Sequence, residues 1–372
     1  MFPQNNIVLI GNSVVEQSKS IAHLKKRVIN IDSYNDEDLI GEAYKNPNPY
    51  GLVNDDVLSI LKDLNLKKSE TLIIVSSGYE RGKNFHKELQ SYGKIIGNSS
   101  KTIKNLQDHK SLILKLQRNN IKTPEIFSDI KGIHKSVLIK NSYMSGGLGI
   151  KKLKDDSEKC SKDEYYQKYI EGPVFSIFFI LYNKKNYKII GVNKIYNKKT
   201  MFSDFCFSGA LSNVEINEDQ TQCLKNMINF FINDYDLVGI NGIDFIINKD
   251  VYFLEINPRI TQTCFLYDKA FNDGFIDAHI NASLNDILFV DKKRCSHIAC
   301  FENLFAYSSF VIKTDLKEFS FVSNIPKINN HIEVGEPICT INSISDDKKK
   351  AKKLLLDNIS LVKDKLITAE II

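Results

Sequence analysis

The chain has 372 residues, 42% hydrophobic and 26% charged, with a net charge of +5, which allows two or three domains around a sizeable core. No apolar run reaches the roughly 18–20 residues that cross a bilayer, and lysines interleaved with acids form no basic stripe, so neither a membrane nor a nucleic acid is expected as partner. Seven scattered cysteines without a CxxC pair argue against a disulfide scaffold or a zinc site and for a reducing cytoplasm.

The opening MFPQNNIVLIGNS lacks the basic stretch of a secretory signal and reads as a first strand over 7–10. GNS follows, then a helix over about 14–26, a strand at 28–32 and a loop at 46–51. A helix over about 54–65 leads to the strand TLIIV (71–75), the loop SSGYERG (76–82), another helical segment and KIIGN (94–98). Strands alternating with helices imply βαβ units and a parallel sheet. Ligands bind such sheets outside the carboxyl ends of the strands, which puts GNS and SSGYERG at a site edge. GNS is not GxGxxG, so a dinucleotide site has little support.

Residues 101–119 read as one helix. An extended X-Pro entry and the strand VLIK (137–140) come next. The stretch 165–210 is rich in aromatic and β-branched residues, with EGPVFSIFFILY as its clearest strand. A helix at about 218–234 precedes a hairpin over 242–257. More short strands (298–325), a loop and a final helix at about 346–366 complete the chain. The expected class is α/β with α+β: a βαβ domain over 1–100, an α+β body over 101–290 and a C-terminal segment over 291–372 packed on it.

The hairpin GIDFIINKDVYFLEIN ends in NPR. With Lys249–Asp250 as turn residues, Asp244 faces Glu255. A turn one residue earlier still leaves both carboxylates on one face, and Asn257 shares it by strand alternation. Like charges placed opposite each other destabilise a sheet unless a cation lies between them. Oxygen ligands alone select Mg²⁺ or Mn²⁺ over zinc. An edge hairpin with an incidental acidic pair is the competing reading. Only five of the 50 basic residues are arginine, so Arg81 and Arg259, both in loop-like motifs, are positions where the planar guanidinium matters.

Two further stretches complete a pattern. VLIKNSYMSGGLGI (137–150) is a strand ending in Lys140, then a loop with Gly146, Gly147 and Gly149, whose backbone N–H groups suit phosphate oxygens. YYQKYIEGPVF (165–175) offers main-chain hydrogen bonds and an apolar wall for a purine. In this order, ending in EINPR, the motifs resemble the ATP-grasp superfamily over essentially the whole chain. The resemblance is greatest to a family of predicted ATP-dependent carboligases related to biotin carboxylase, whose motifs appear as GNS, SGYER, QKYIEG, FSGA and GEPICT.

The resemblance implies an ATP-grasp fold behind an N-terminal βαβ domain, with a small lid subdomain over about 122–172. It makes Lys110 in QDHKSLI the first nucleotide lysine, with His109 where an aspartate usually stands, and Lys140 the second. It also implies Gly146 and Gly147 at the phosphates, Gln167, Lys168 and Ile170 at the adenine, and Glu171 at the ribose. Asp244, Glu255 and Asn257 become ligands of Mg²⁺ or Mn²⁺, and Arg259 lies near the transferring phosphoryl. Ser13, Glu80, Arg81, Ser208 and Gly209 would face the acceptor. No biotin carboxylase active-site pattern accompanies these motifs. The implied activity is an ADP-forming ligase joining a small carboxylate to an amine. Phosphoryl transfer without ligation and a non-catalytic nucleotide-binding regulator are the alternatives.

Overall fold

Strands buried on both faces read as unbroken apolar runs, and IVLI is one. In the computed structural model, which describes residues 3–46, 54–78, 85–130, 136–142, 144–155, 157–183, 185–201, 203–284 and 297–370, it lies at the centre of a parallel sheet. The strands are β1 (Asn6–Gly11), β2 (Arg27–Asp32), β3 (Glu42–Lys45), β4 (Thr71–Val75) and β5 (Lys94–Ile96), in the order β3-β2-β1-β4-β5. Helices α1 (Val15–Ser20), α2 (Asn54–Asp63) and α3 (Phe85–Leu89) connect them. Val8 and Ile10 pack with Val57 and Leu61 of α2, while Ile7 and Leu9 face the body of the protein with Phe275 and Ile276. The helix expected over 14–26 stops at Ser20, and a 3₁₀ turn then ends at Lys25, whose φ of 50° is left-handed. Strand β3 was not expected.

The helix expected over 101–119 is two helices, α4 (Ser100–Gln107) and α5 (His109–Arg118). Ser99 caps the first, accepting from the Thr102 N–H at 3.1 Å, and Asp108 caps the second, accepting from the Ser111 N–H at 3.2 Å. A side chain that takes an orphan N–H starts a helix anew. A four-stranded antiparallel sheet follows, with β6 (Ile126–Phe127), β7 (Val137–Asn141), β8 (Ile150–Lys152) and β9 (Glu164–Lys168) in the order β6-β9-β7-β8.

The largest sheet begins with β10 (Val174–Tyr182), β11 (Asn186–Lys198) and β12 (Cys206–Leu211). After α6 (Glu218–Asp234) come β13 (Gly239–Asn248) and β14 (Asp250–Asn257), and after α7 (Gly274–Leu284) comes β15 (Ile298–Phe305). The short strands β16 (Phe310–Val311), β17 (Val322–Ser323) and β18 (His331–Ile332), then β19 (Pro337–Ser345) and α8 (Lys348–Glu370), end the chain. Eight strands run in the order β14-β13-β10-β11-β12-β15-β19-β17. Alternation in FSIFFIL serves both faces. Phe175, Ile177 and Phe179 meet Met227, Ile228 and Phe231 of α6, while Phe178 and Ile180 meet Phe275 and Ile280 of α7. Asn98, just past β5, ties this sheet to the first. Its Nδ2 donates to Asn241 Oδ1 and to the Pro258 carbonyl, both at 2.8 Å, and its Oδ1 accepts from the Val238 N–H at 2.8 Å. Among the described residues no helix is long and apolar enough to cross a membrane.

Candidate functional site

The β13–β14 hairpin turns on one residue, Lys249, with φ 57° and Asn248 paired to Asp250. The two-residue turn read from the sequence is therefore corrected. This turn sets a register in which Phe245 pairs with Phe253, and continued regularly it would place Leu254 opposite Asp244. Glu255 would then point with Val251 and Phe253 into the core under α6. A β-bulge intervenes between Asp244 and Phe245, Leu254 is the extra residue, and Asp244 pairs with Glu255. Bulges re-aim side chains in this way. After it, Leu254 and Glu255 both line a cavity, Ile256 returns to the core, and Asn257 lines the cavity again.

That cavity holds about 500 Å³ between the four-stranded sheet and the hairpin. Burial pushes the Asp244 carboxyl up to about 8, and the Glu255 charge adds to the effect. Asn257 Nδ2 donates to Asp244 Oδ2 at 3.1 Å. Ser176, the polar residue within FSIFFIL and the partner of Asp244 across the β10–β13 ladder, also hydrogen-bonds to it. Ser176 was missed in the sequence, although one hydroxyl in an apolar strand beside an acidic partner is a usable signal. Lys140, next to last in β7, lies inside the cavity at 7% exposure. Burial works against its ammonium, but Tyr165, Glu255 and Asp244 outweigh it and raise its pKa.

His109, and not Lys110, shares this space. Lys110 is exposed and does not line the cavity. His109 stacks on Tyr165 with ring centroids 5.7 Å apart, and its Nε2 lies 3.3 Å from the Ser142 carbonyl. Burial and then the neighbouring Lys140 lower its pKa. The reason is helical phase: residue 109 precedes buried Leu112, Ile113 and Leu116 by three, four and seven positions, which is one face of a helix. Lys110 was expected from the family resemblance alone, whereas the apolar spacing in HKSLILKL was a usable signal for His109.

The glycine loop is pinned rather than loose. The Phe207 N–H donates to the Gly146 carbonyl at 2.9 Å, and Ser203 Oγ donates to the Gly147 carbonyl at 2.6 Å. Gly146 and Gly147 have φ of 65° and 75°, but their surroundings differ. A Cβ on Gly147 would lie 1.9 Å from the Phe205 carbonyl oxygen, whereas one on Gly146 meets nothing within 4 Å. Gly146→Ala should therefore cost about 1 kcal/mol, the left-handed penalty. Gly147→Ala should cost roughly 2–5 kcal/mol, because overpacking adds to it. Urea unfolding of both variants measures this, and equal costs would mean that the loop does not sit against Phe205.

Gln167, Lys168 and Ile170 line the other end of the cavity with Leu138, Ile150 and Val174. The Lys168 N–H is taken by the Glu125 carbonyl at 2.8 Å and the Tyr169 N–H by Ser136 at 2.9 Å. Glu171 is exposed and does not line the cavity; its carbonyl accepts from Asn248 Nδ2 at 2.6 Å. Arg259 lines the cavity just past the hairpin, its Nη1 3.5 Å from the Ile260 carbonyl.

Residues 106–263 match the ATP-grasp domain family. That segment of this chain is an ATP-grasp domain. An uncharacterized protein of Methanocaldococcus jannaschii is 26% identical over 355 residues, covering 90% of this chain and 87% of that protein. The biotin carboxylase domain of Hydrogenobacter thermophilus 2-oxoglutarate carboxylase, solved with MgADP, ADP and bicarbonate, shares the fold with a TM-score of 0.76 at 13% identity. The match covers 97% of this chain and 90% of that one. An L-amino acid ligase from Bacillus licheniformis shares it with a TM-score of 0.68 at 14% identity, covering 96% and 98%.

The protein has a second cavity of about 400 Å³, between the carboxyl ends of β1, β2 and β4 and the C-terminal strands. Asn12, Ser77, Gly146, Phe207 and Gln262 line both cavities. Ser13 lines the second, and its Oγ accepts from Asn324 Nδ2. Ser208 and Gly209 line neither. A Cβ on Gly209 would lie 2.2 Å from the Phe301 carbonyl oxygen, so this glycine answers to the close approach of β15. Their neighbours Cys206 and Phe207 form the wall. Glu80 and Arg81 lie outside the described residues.

Proposed function

We propose that this protein is an ADP-forming ligase that phosphorylates a small carboxylate with ATP and passes the acyl group to an amine. The observation that carries the reading is one cavity in which the Asp244–Glu255 pair, Lys140, Arg259 and the Gly146–Gly147 loop line the walls together. The donor set fits a hard cation: two carboxylates and an amide, all oxygen, with Asp244 held above the usual carboxylate range by burial and by the Glu255 charge. Asp244, Glu255 and Asn257 would hold Mg²⁺, which when bound neutralises charge on the phosphates. Lys140 and Gly146 bind and orient the phosphates, and Arg259 offsets charge on the phosphoryl as it transfers, a task of positioning and electrostatics. The apolar wall beside Gln167 and Ile170 takes the adenine, and the sheet within residues 122–172 shields it from water.

The ATP-grasp domain match and the MgADP-bound carboxylase neighbour support the nucleotide and metal, and the amino acid ligase neighbour supports ligation. Calorimetric titration with ATP should show binding that requires Mg²⁺. Lys140→Ala should weaken it by about 10- to 100-fold, the range for a charge-assisted hydrogen bond, and Lys140→Arg should not restore turnover, since a guanidinium does not fit a point-charge position. Unchanged affinity in Lys140→Ala removes this lysine from the site. ADP release that depends on an acceptor but yields no ligated product would identify a phosphotransferase instead.

A further inference from the structure

Three aspartates, Asp32, Asp36 and Asp38, lie at and just beyond the end of β2. Asp32 is consumed by its own loop. Its Oδ2 accepts from the Val14 N–H at 2.8 Å, and its Oδ1 accepts from Tyr34 at 2.8 Å and Asn35 at 2.7 Å. Asp38 accepts from the Asn324 and Ile325 N–H groups at 3.1 and 2.8 Å and from the Lys19 ammonium at 2.7 Å. Asp36 is different. It is 6% exposed, it receives the Asn324 side chain, and its Oδ2 has no hydrogen-bond partner among the described residues. Ser33 is 2% exposed, and its Oγ also has none. Both residues line the second cavity.

The charges around them do not compensate. Asp32 and Asp38 act on Asp36 from its own side, and Glu16 lines the same cavity. The cation among them, Lys19, is shared by Asp38 and by Glu16 at 3.5 Å. Across the cavity, Glu333 is paired with His331 at 3.2 Å, and Glu336 accepts from the Glu333 N–H at 2.8 Å. Lys45 lines the cavity but is exposed. Burial, then Asp32 and Asp38, hold the Asp36 carboxyl well above the usual carboxylate range. A buried carboxylate oxygen without a donor is costly. A donor-bearing cation at that point removes the cost, and a primary ammonium brings three donors and no acceptor.

We propose that Asp36 and Ser33 anchor a protonated primary amine of the co-substrate at the end of the second cavity away from the nucleotide. This rests on the reading that the neighbouring cavity takes Mg-ATP. Asp36 and Ser33 line the second cavity alone, Lys140 and Glu255 the first alone, and the residues common to both lie between. A protonated amine has no lone pair, so the anchored group is not the one that attacks. The co-substrate is therefore bifunctional: a diamine or basic amino acid held by one ammonium while its other group reacts beside the phosphates.

The experiment uses putrescine, L-ornithine and L-lysine, each against its terminally mono-acetylated counterpart. Thermal shift and ADP release are read with Mg-ATP and a small carboxylate panel. At least one probe should act, and acetylation should weaken it by about 10- to 100-fold, the value of a hydrogen bond to a charged group. Asp36→Asn should raise the KM for that probe by a similar factor while kcat changes little and Mg-ATP binding is unchanged. It should melt at or above the wild-type temperature, because an amide does not carry the cost of burying an acid among other acids. Ser33→Ala should raise the same KM by a smaller factor. Equal response to free and acetylated probes, an unchanged KM in Asp36→Asn, or no response from any probe in protein that binds Mg-ATP each overturns the anchor. Failure to bind Mg-ATP overturns the ligase reading instead, and thermal shift by the probes alone, compared with Asp36→Asn, then decides the anchor.

Discussion

Glu255→Gln should abolish turnover while leaving the fold intact. Glutamine keeps the shape of glutamate but removes a charge that the cation would need under the proposed metal role, so the Mg²⁺ requirement should rise and phosphoryl transfer should stop. The apo protein should melt at the wild-type temperature or above. Asp244 stands directly opposite Glu255, and its carboxyl is pushed up to about 8 by burial and by that neighbour. Removing one of two facing like charges relieves a destabilising pair. A purely structural hairpin makes the opposite pairing of outcomes: little change in turnover and no gain in stability. Single-turnover ADP formation and a melting curve on the same preparation separate the two. Normal turnover would end the assignment of this hairpin to the metal.

Arg259→Lys should bind ATP almost as the wild type does, yet lower kcat by on the order of 10²–10³, the loss seen when one preorganised charge-stabilising donor is removed. Lysine keeps the charge and loses the planar fork. The chain uses arginine five times against 45 lysines, so guanidinium chemistry is not its default. Arg259 follows the Asn257–Pro258 end of the hairpin, which Asn98 holds through the Pro258 carbonyl at 2.8 Å. The residue therefore projects from a fixed strand end and not from a loose loop. A surface arginine would instead cost at most about 1 kcal/mol of stability and leave kcat alone. An unchanged kcat with a lowered melting temperature would assign Arg259 to structure.

Much of this molecule is written in local pattern. Unbroken apolar runs marked β1 and β4 because a central parallel strand meets apolar neighbours on both faces. Period-two alternation marked the hairpin, and the glycines after Lys140 marked a phosphate-type loop. These signals are short-range: each needs only a few consecutive residues and the geometry of one element. The decisions made by the tertiary structure are of another kind. Whether Glu255 faces the cavity or the α6 core depends on one extra residue, Leu254, and nothing within DVYFLEIN distinguishes a bulge from regular alternation. Which of His109 and Lys110 enters the cavity depends on which face of α5 packs, and the burial of Leu112, Ile113 and Leu116 sets that. Asp36 looks in sequence like its neighbours Asp32 and Asp38. It is set apart only because backbone N–H groups from α1, its own loop and the Asn324 segment reach those two carboxylates and leave one Asp36 oxygen bare. Hydrogen-bond satisfaction among residues hundreds of positions apart is a property of the packed chain, so sequence alone determines which polar groups exist and the fold determines which of them remain to bind a ligand.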